Sequence, residues 1–278
     1  MTGVLISAAE LRPRVAAGDV VLLDVRWALG DPAGHQHYLD GHLPGAVFVD
    51  LDSELASPAS AQDGRHPLPR IADLQSAARR WGVTADSTVV AYDNGGAMSA
   101  ARAWWLLRWG GLRDVRLLDG GLAAWIAGGG ELATDEVVPA AGDVELVAGR
   151  LPVLDADAAA AQAVAGVLLD ARAEQRYRGE EEPIDPRAGH IPGAISAPTG
   201  ENLAPDGRFK SAGELRARFA ALGATEGSPV GSYCGSGVTA AHQAAALAIA
   251  GFDAAVYIGS WSQWSNDPAR PVATGSAP

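Results

Sequence analysis

Four short blocks occur in the first half of the chain and again, in the same order, in the second, so the molecule has to be built as two copies of one domain. Leu22-Leu23-Asp24-Val25-Arg26 returns as Leu168-Leu169-Asp170-Ala171-Arg172, and Gly41-His42-Leu43-Pro44-Gly45-Ala46 as Gly189-His190-Ile191-Pro192-Gly193-Ala194. Val89 to Asp93 aligns with Pro229 to Cys234, and Gly120-Gly121 ahead of Trp125 aligns with Gly259-Ser260 ahead of Trp264. The offsets lie between 139 and 148 residues, and self-similarity at this spacing marks duplication of a whole domain. With 278 residues, 48% of them hydrophobic, each copy has enough apolar side chain for its own core. The expected division is residues 1–135, a connector at 136–152 rich in Pro, Ala and Gly, and residues 153–278.

Each copy alternates short apolar runs with amphipathic stretches. In the first, 20–25, 46–50, 88–92 and 115–118 are predicted strands, and 7–17, 71–81 and 97–109 are predicted helices. That alternation specifies an α/β domain with a mostly parallel sheet flanked by helices. Such sheets place their sites in loops after the carboxyl ends of strands, beside helix N-termini.

Cys234, the only cysteine, falls in such a loop, at the head of Cys234-Gly235-Ser236-Gly237-Val238-Thr239-Ala240. A thiol there meets the positive end of a helix dipole and unpaired backbone N–H groups, which favour its anion. The glycines let the backbone curl around a negative charge. At the matching place the first copy reads Asp93-Asn94-Gly95-Gly96, and a carboxylate there cannot act as a sulfur nucleophile. Chemistry is therefore expected in the second copy and support from the first.

Other classes are disfavoured. A net charge of −12 repels nucleic acid phosphates and anionic membranes over a wide area, although arginines clustered locally can still hold a small anion. No metal-ligand spacing or cofactor motif occurs, and one cysteine forms no internal disulfide. A free thiol, no apolar run of membrane-spanning length and no basic-then-apolar opening give the expectation of a cytoplasmic protein. Asp24 with Arg26 and Asp170 with Arg172 are expected to pair structurally, His42 and His190 to shape turns, and most of the tryptophans to pack in cores.

With these residues in view the chain resembles the tandem two-domain sulfurtransferases of the rhodanese superfamily over nearly its whole length. The paired Gly-His-(Leu/Ile)-Pro-Gly-Ala motifs, the Gly-Ser-Trp-Ser-Gln-Trp at 259–264 and the cysteine loop carry the likeness. The Cys-Gly-Ser-Gly-Val-Thr loop is similar to that of 3-mercaptopyruvate sulfurtransferases. The resemblance implies two tandem rhodanese-like domains, an inactive first and a catalytic second, and no cofactor. It implies sulfane-sulfur transfer through a Cys234 persulfide cradled by the backbone of Gly235, Ser236, Gly237, Val238 and Thr239. It further implies that Ser236 and Asp52 form a proton relay with Cys234, that His66 lines the same site, and that Arg176 binds the donor, with Arg187 as candidate second arginine.

Donor choice is argued from charge. Thiosulfate is a compact dianion that calls for cations beside the cysteine, and Gly235 and Ser236 supply none. 3-Mercaptopyruvate carries one carboxylate, which one or two arginines hold in a bidentate fork. Mercaptopyruvate is therefore the expected donor and thiosulfate the alternative, with a thiol, cyanide or thioredoxin as acceptor. A cysteine phosphatase needs an arginine six residues after its cysteine, where this chain has Ala240. A non-catalytic sulfur-carrier docking module is the remaining alternative.

Overall fold

The computed structural model describes residues 3–278. The apolar runs of the first half become β1 (Leu5–Ile6), β2 (Val21–Asp24), β3 (Ala46–Phe48), β4 (Val89–Tyr92) and β5 (Val115–Leu118). Those of the second become β6 (Val153–Leu154), β7 (Val167–Asp170), β8 (Ile195–Ser196), β9 (Val230–Tyr233) and β10 (Ala254–Tyr257). Each set makes a parallel five-stranded sheet, in the orders β1-β5-β4-β2-β3 and β6-β10-β9-β7-β8, so the two copies share one topology. Every residue of β4, β7 and β9 is buried, as expected of a parallel sheet covered on both faces by helices. β4 and β9 are the middle strands, and the loops leaving them are the ones that differ chemically between the copies.

The repeated Asp-x-Arg motif has the same use in both. Arg26 Nη2 lies 2.6 Å from Asp24 Oδ2, and Arg172 Nη2 lies 2.6 Å from Asp170 Oδ2, both pairs being buried. A tyrosine at the end of the middle strand joins each pair: Tyr92 Oη donates to Asp24 at 2.6 Å and accepts from the Leu43 N–H at 3.0 Å. Burial and the neighbouring aspartate push the Tyr92 and Tyr233 hydroxyls well above the ordinary tyrosine range, so both remain donors. His42 and His190 stack on Tyr38 and Tyr177 at 3.9 and 3.7 Å, with Nδ1 at hydrogen-bond distance from the carbonyl of the same tyrosine. The histidines recurring in both copies are thus packing groups of the turn before β3 and β8.

The two compact units exchange short segments. One comprises residues up to Ser57, Pro69–Arg150 and Pro205–Phe209; the other comprises Pro58–Leu68, Leu151–Ala204 and Lys210–Pro278. The 136–150 stretch, expected as a connector, packs on the first unit: Val144 and Leu146 are buried, and the N–H groups of Val144 and Val147 donate to the carbonyls of Val83 and Gly110. Pro58–Leu68, from the first half of the sequence, belongs to the second unit. There the Arg65 N–H donates to Ser262 Oγ at 3.0 Å, and Gln263 Nε2 donates to the Gln62 carbonyl at 2.6 Å.

Removing one member of a buried ion pair leaves the other uncompensated. Arg26→Met is therefore expected to destabilise the first unit by about 3–5 kcal/mol, measured by urea unfolding. Loss of less than about 1 kcal/mol, the range of an exposed pair, would contradict the structural role of this motif.

Candidate active site

Cys234 is the first residue after β9, and the helix Val238–Ile249 begins four residues later. Gly237 caps that helix with φ of 81°, in the left-handed region where a side chain is strained. This tight turn points the Gly237 N–H at Cys234 Sγ, 3.1 Å away. The rest of the loop is pinned from behind by the Gly259-Ser260-Trp261-Ser262 segment. Ser260 Oγ accepts from the Cys234 N–H at 3.1 Å, and the N–H groups of Trp261 and Ser262 donate to the carbonyls of Cys234 and Gly235, each at 2.9 Å. Cys234 is buried, only 1% exposed.

The loop of the first copy shows what this turn does with negative charge. Asp93, following β4, accepts from four backbone N–H groups: Gly95 and Ala97 on Oδ1 at 2.8 and 2.9 Å, and Ser99 and Ala100 on Oδ2 at 2.9 and 3.0 Å. Burial pushes its carboxyl above the usual carboxylate range while the four donors pull the other way. The helix after Asp93 starts seven residues on, at Ala100, so this loop is longer and wraps its own side chain. The first copy thus carries a fixed carboxylate where the second carries a thiol.

Ser236 and His66 come together in the second unit: Ser236 Oγ and His66 Nδ1 are 2.8 Å apart, and both residues are buried. Asp52 lies in the short helix Leu51–Glu54 of the first unit, where Trp27 Nε1 donates to its Oδ2 at 3.0 Å. Arg176 reaches the loop. A Cβ built on Gly235 would lie 3.4 Å from Arg176 Nη1, and 3.0 Å from Nη2 of a second guanidinium, that of Arg65. Arg187 is engaged elsewhere: Nε, Nη1 and Nη2 donate to the carbonyls of Ser265, Arg270 and Trp264 at 2.8, 2.9 and 2.9 Å. It braces the end of the Ser260–Trp264 helix, and Trp261 Nε1 donates to its carbonyl at 2.9 Å.

Arg65 is the residue that sequence reasoning missed. Its signal was at hand in Gly64-Arg65-His66-Pro67, next to the histidine already singled out. Gly235 and Ser236 bring no cation of their own, and two guanidiniums arrive beside Gly235 through space instead. They do not arrive bare. Asp185 accepts from Arg65 Nη1 and, at 3.1 Å, from Arg176 Nη2, while Glu182 accepts from Arg176 Nη2 at 2.6 Å. Burial raises the Asp185 carboxyl above its ordinary value, against the lowering effect of Arg65 and Arg176. Among the described residues no group of His, Cys, Asp and Glu is placed to hold a metal, and no helix is long and apolar enough to cross a membrane.

The rhodanese-like domain family matches the chain twice, over residues 7–128 and 154–267. A Mycobacterium tuberculosis protein provisionally named thiosulfate sulfurtransferase SseB is 51% identical over 280 residues, 99% of this chain and 98% of its own. A Pseudomonas aeruginosa protein provisionally named 3-mercaptopyruvate sulfurtransferase is 49% identical over 282 residues, 98% of each chain. The crystal structure of SseA, a 3-mercaptopyruvate sulfotransferase from Escherichia coli, superposes with a TM-score of 0.82 at 33% identity, covering 94% of this chain and 99% of that one.

The Ser260 hydroxyl is the only acceptor that the Cys234 N–H has in the described residues, and both groups are buried. Ser260→Ala should cost about 1–3 kcal/mol in denaturant unfolding, the penalty of stranding a buried donor. An unchanged midpoint would show that the loop is not pinned through this hydroxyl.

Proposed function

The chain belongs to the rhodanese family, and on that premise we propose that it is a sulfurtransferase moving a sulfane sulfur from 3-mercaptopyruvate to a thiophilic acceptor through a persulfide on Cys234. The observation that carries this reading is the sulfur at the end of β9 accepting a main-chain N–H, at the position where the first copy stabilises a carboxylate with four. A turn that holds an anion in one copy is suited to holding the terminal sulfur of a persulfide in the other. Cysteine fits the task because its thiolate is strongly nucleophilic and the S–S bond it forms is itself open to thiolate attack.

In the first half-reaction the Cys234 thiolate attacks the sulfur of 3-mercaptopyruvate. The new S–S bond forms as the C3–S bond breaks, and the electron pair goes to C3. The proton lost by the donor's thiol is delivered to C3, so that Cys–S⁻ and mercaptopyruvate become Cys–S–S⁻ and pyruvate. Ser236 with His66 at 2.8 Å provides a hydroxyl and an imidazole to carry that proton. Arg176, at the edge of Gly235, meets the donor's carboxylate. In the second half-reaction an acceptor nucleophile takes the outer sulfur and restores the thiolate. Thiols, cyanide and the dithiol of thioredoxin have the required chemistry, and a free thiol of this kind suits the reducing cytoplasm.

A specific observation supports thiosulfate as the second reading, namely the two guanidiniums beside Gly235. The name given to the M. tuberculosis relative points the same way. Mercaptopyruvate remains the preferred donor because Asp185 and Glu182 neutralise those guanidiniums, which weakens the attraction for a dianion.

Steady-state kinetics with the two donors test the assignment. The ratio kcat/KM should favour 3-mercaptopyruvate by at least about tenfold, and a preference for thiosulfate would transfer the assignment to the second reading. Ser236→Ala should lower kcat with mercaptopyruvate by about a hundredfold, and by much less with thiosulfate, because sulfite leaves without needing a proton. Equal losses with both donors would remove Ser236 from proton transfer.

A further inference from the structure

We propose that Arg65 is the second anion-binding arginine of the catalytic loop, and that Asp185 acts as a positioning residue that sets the net charge this arginine and Arg176 present to a donor. The proposal deepens the sulfur-transfer reading and rests on it.

Three observations carry it. The first is position: Arg65 Nη2 would lie 3.0 Å from a Cβ at Gly235, closer than either terminal nitrogen of Arg176. A side chain at this position next to the cysteine would crowd the guanidinium, and glycine leaves it room. The second is an unused donor. Arg65 Nη1 is held by Asp185, and the backbone N–H of Arg65 is held by Ser262 Oγ, yet Nε is buried without a hydrogen-bond partner. A buried N–H left unpaired is costly, and Nε with Nη2 forms the side-on fork that matches the two oxygens of a carboxylate. An incoming carboxylate is the group that satisfies both.

The third is charge. Asp185 joins Arg65 to Arg176, and Glu182 joins Arg176 to Arg172, which pairs in turn with Asp170. Three arginines face three carboxylates in one partly buried network, so without a donor its formal charge is zero. A single donor carboxylate gains fork geometry with little change in field. A dianion brings a second negative charge next to Asp185 and Glu182, and its Coulomb cost doubles. Selection between a monocarboxylate and thiosulfate then lies in Asp185, a residue that the cysteine loop itself does not contain.

Binding of unreactive probes tests this without turnover. Isothermal titration of pyruvate, a monocarboxylate, and sulfate, a dianion, into the full-length Cys234→Ser protein should show tighter pyruvate binding. Adding Asp185→Asn should strengthen sulfate binding about tenfold and pyruvate binding about threefold, since removing one negative charge helps a double charge twice as much on a logarithmic scale. Arg65→Gln should weaken pyruvate about tenfold, and Arg65→Lys should recover only part of that, because lysine restores charge but not the fork. Pyruvate binding that does not depend on Arg65, including no binding at all, overturns the first half of the proposal. Equal changes for both probes in Asp185→Asn overturn the second. Far-UV circular dichroism identifies a variant that has failed to fold, and the Arg65→Lys arm then decides the question for Arg65, with Asp185→Ser deciding it for Asp185. Failure of the sulfur-transfer reading shows differently, as a wild-type protein that binds pyruvate as described but releases none from mercaptopyruvate.

Discussion

Main-chain N–H groups gathered at the end of a middle parallel strand are what the rest of this molecule is arranged around. A strand running through a short loop into a helix leaves the first donors of that helix without intrahelical partners, and an anion, a polar side chain or water has to satisfy them. Both copies solve this problem at the same place in the sheet. The first uses the carboxylate of Asp93, permanently attached and saturated with donors. The second uses Cys234, whose sulfur takes the Gly237 N–H and, in the proposed reaction, is extended by one more atom. The two copies thus differ at this loop between a carboxylate that fills the turn and a thiol.

Holding that loop still takes more structure than the loop itself. The Ser260–Ser262 backbone fixes it from behind, Arg187 clamps the following turn through carbonyl oxygens, and Arg172 lies 4.5 Å over the Trp261 ring while pairing with Asp170. Ser260, Trp261, Ser262 and Arg172 are buried and Arg187 is half-buried, so these groups favour rigidity over access. Access is left to the more exposed guanidiniums of Arg65 and Arg176, whose side chains are 25% and 18% exposed.

Much of this was legible in the sequence, because local patterning decides it. The strand runs at 88–92 and 115–118 appear as Val89–Tyr92 and Val115–Leu118, since short, largely apolar segments suit the two-sided interior of a parallel sheet, Arg116 being the half-buried exception. Asp24 with Arg26 and Asp170 with Arg172 pair as their repetition implied. What sequence spacing did not carry was tertiary. Arg65 lies far from Cys234 in the chain and within the half that holds the inactive loop, and only the packing of Pro58–Leu68 on the second unit brings it to Gly235. Arg187 looked like a donor arginine because it sits between the Arg176 helix and the Gly-His-Ile-Pro turn. The carbonyl ends of a neighbouring helix had the stronger claim on it.

The central claim is that Cys234 accepts and holds one extra sulfur. Intact-mass spectrometry after brief mixing of the full-length protein with 3-mercaptopyruvate, then again after addition of a thiol acceptor, tests it directly. The account predicts a gain equal to one sulfur atom, mapped to Cys234, absent in Cys234→Ser and reversed by the thiol. Release of pyruvate with no added sulfur on the protein, or an equal gain in Cys234→Ser, would contradict it.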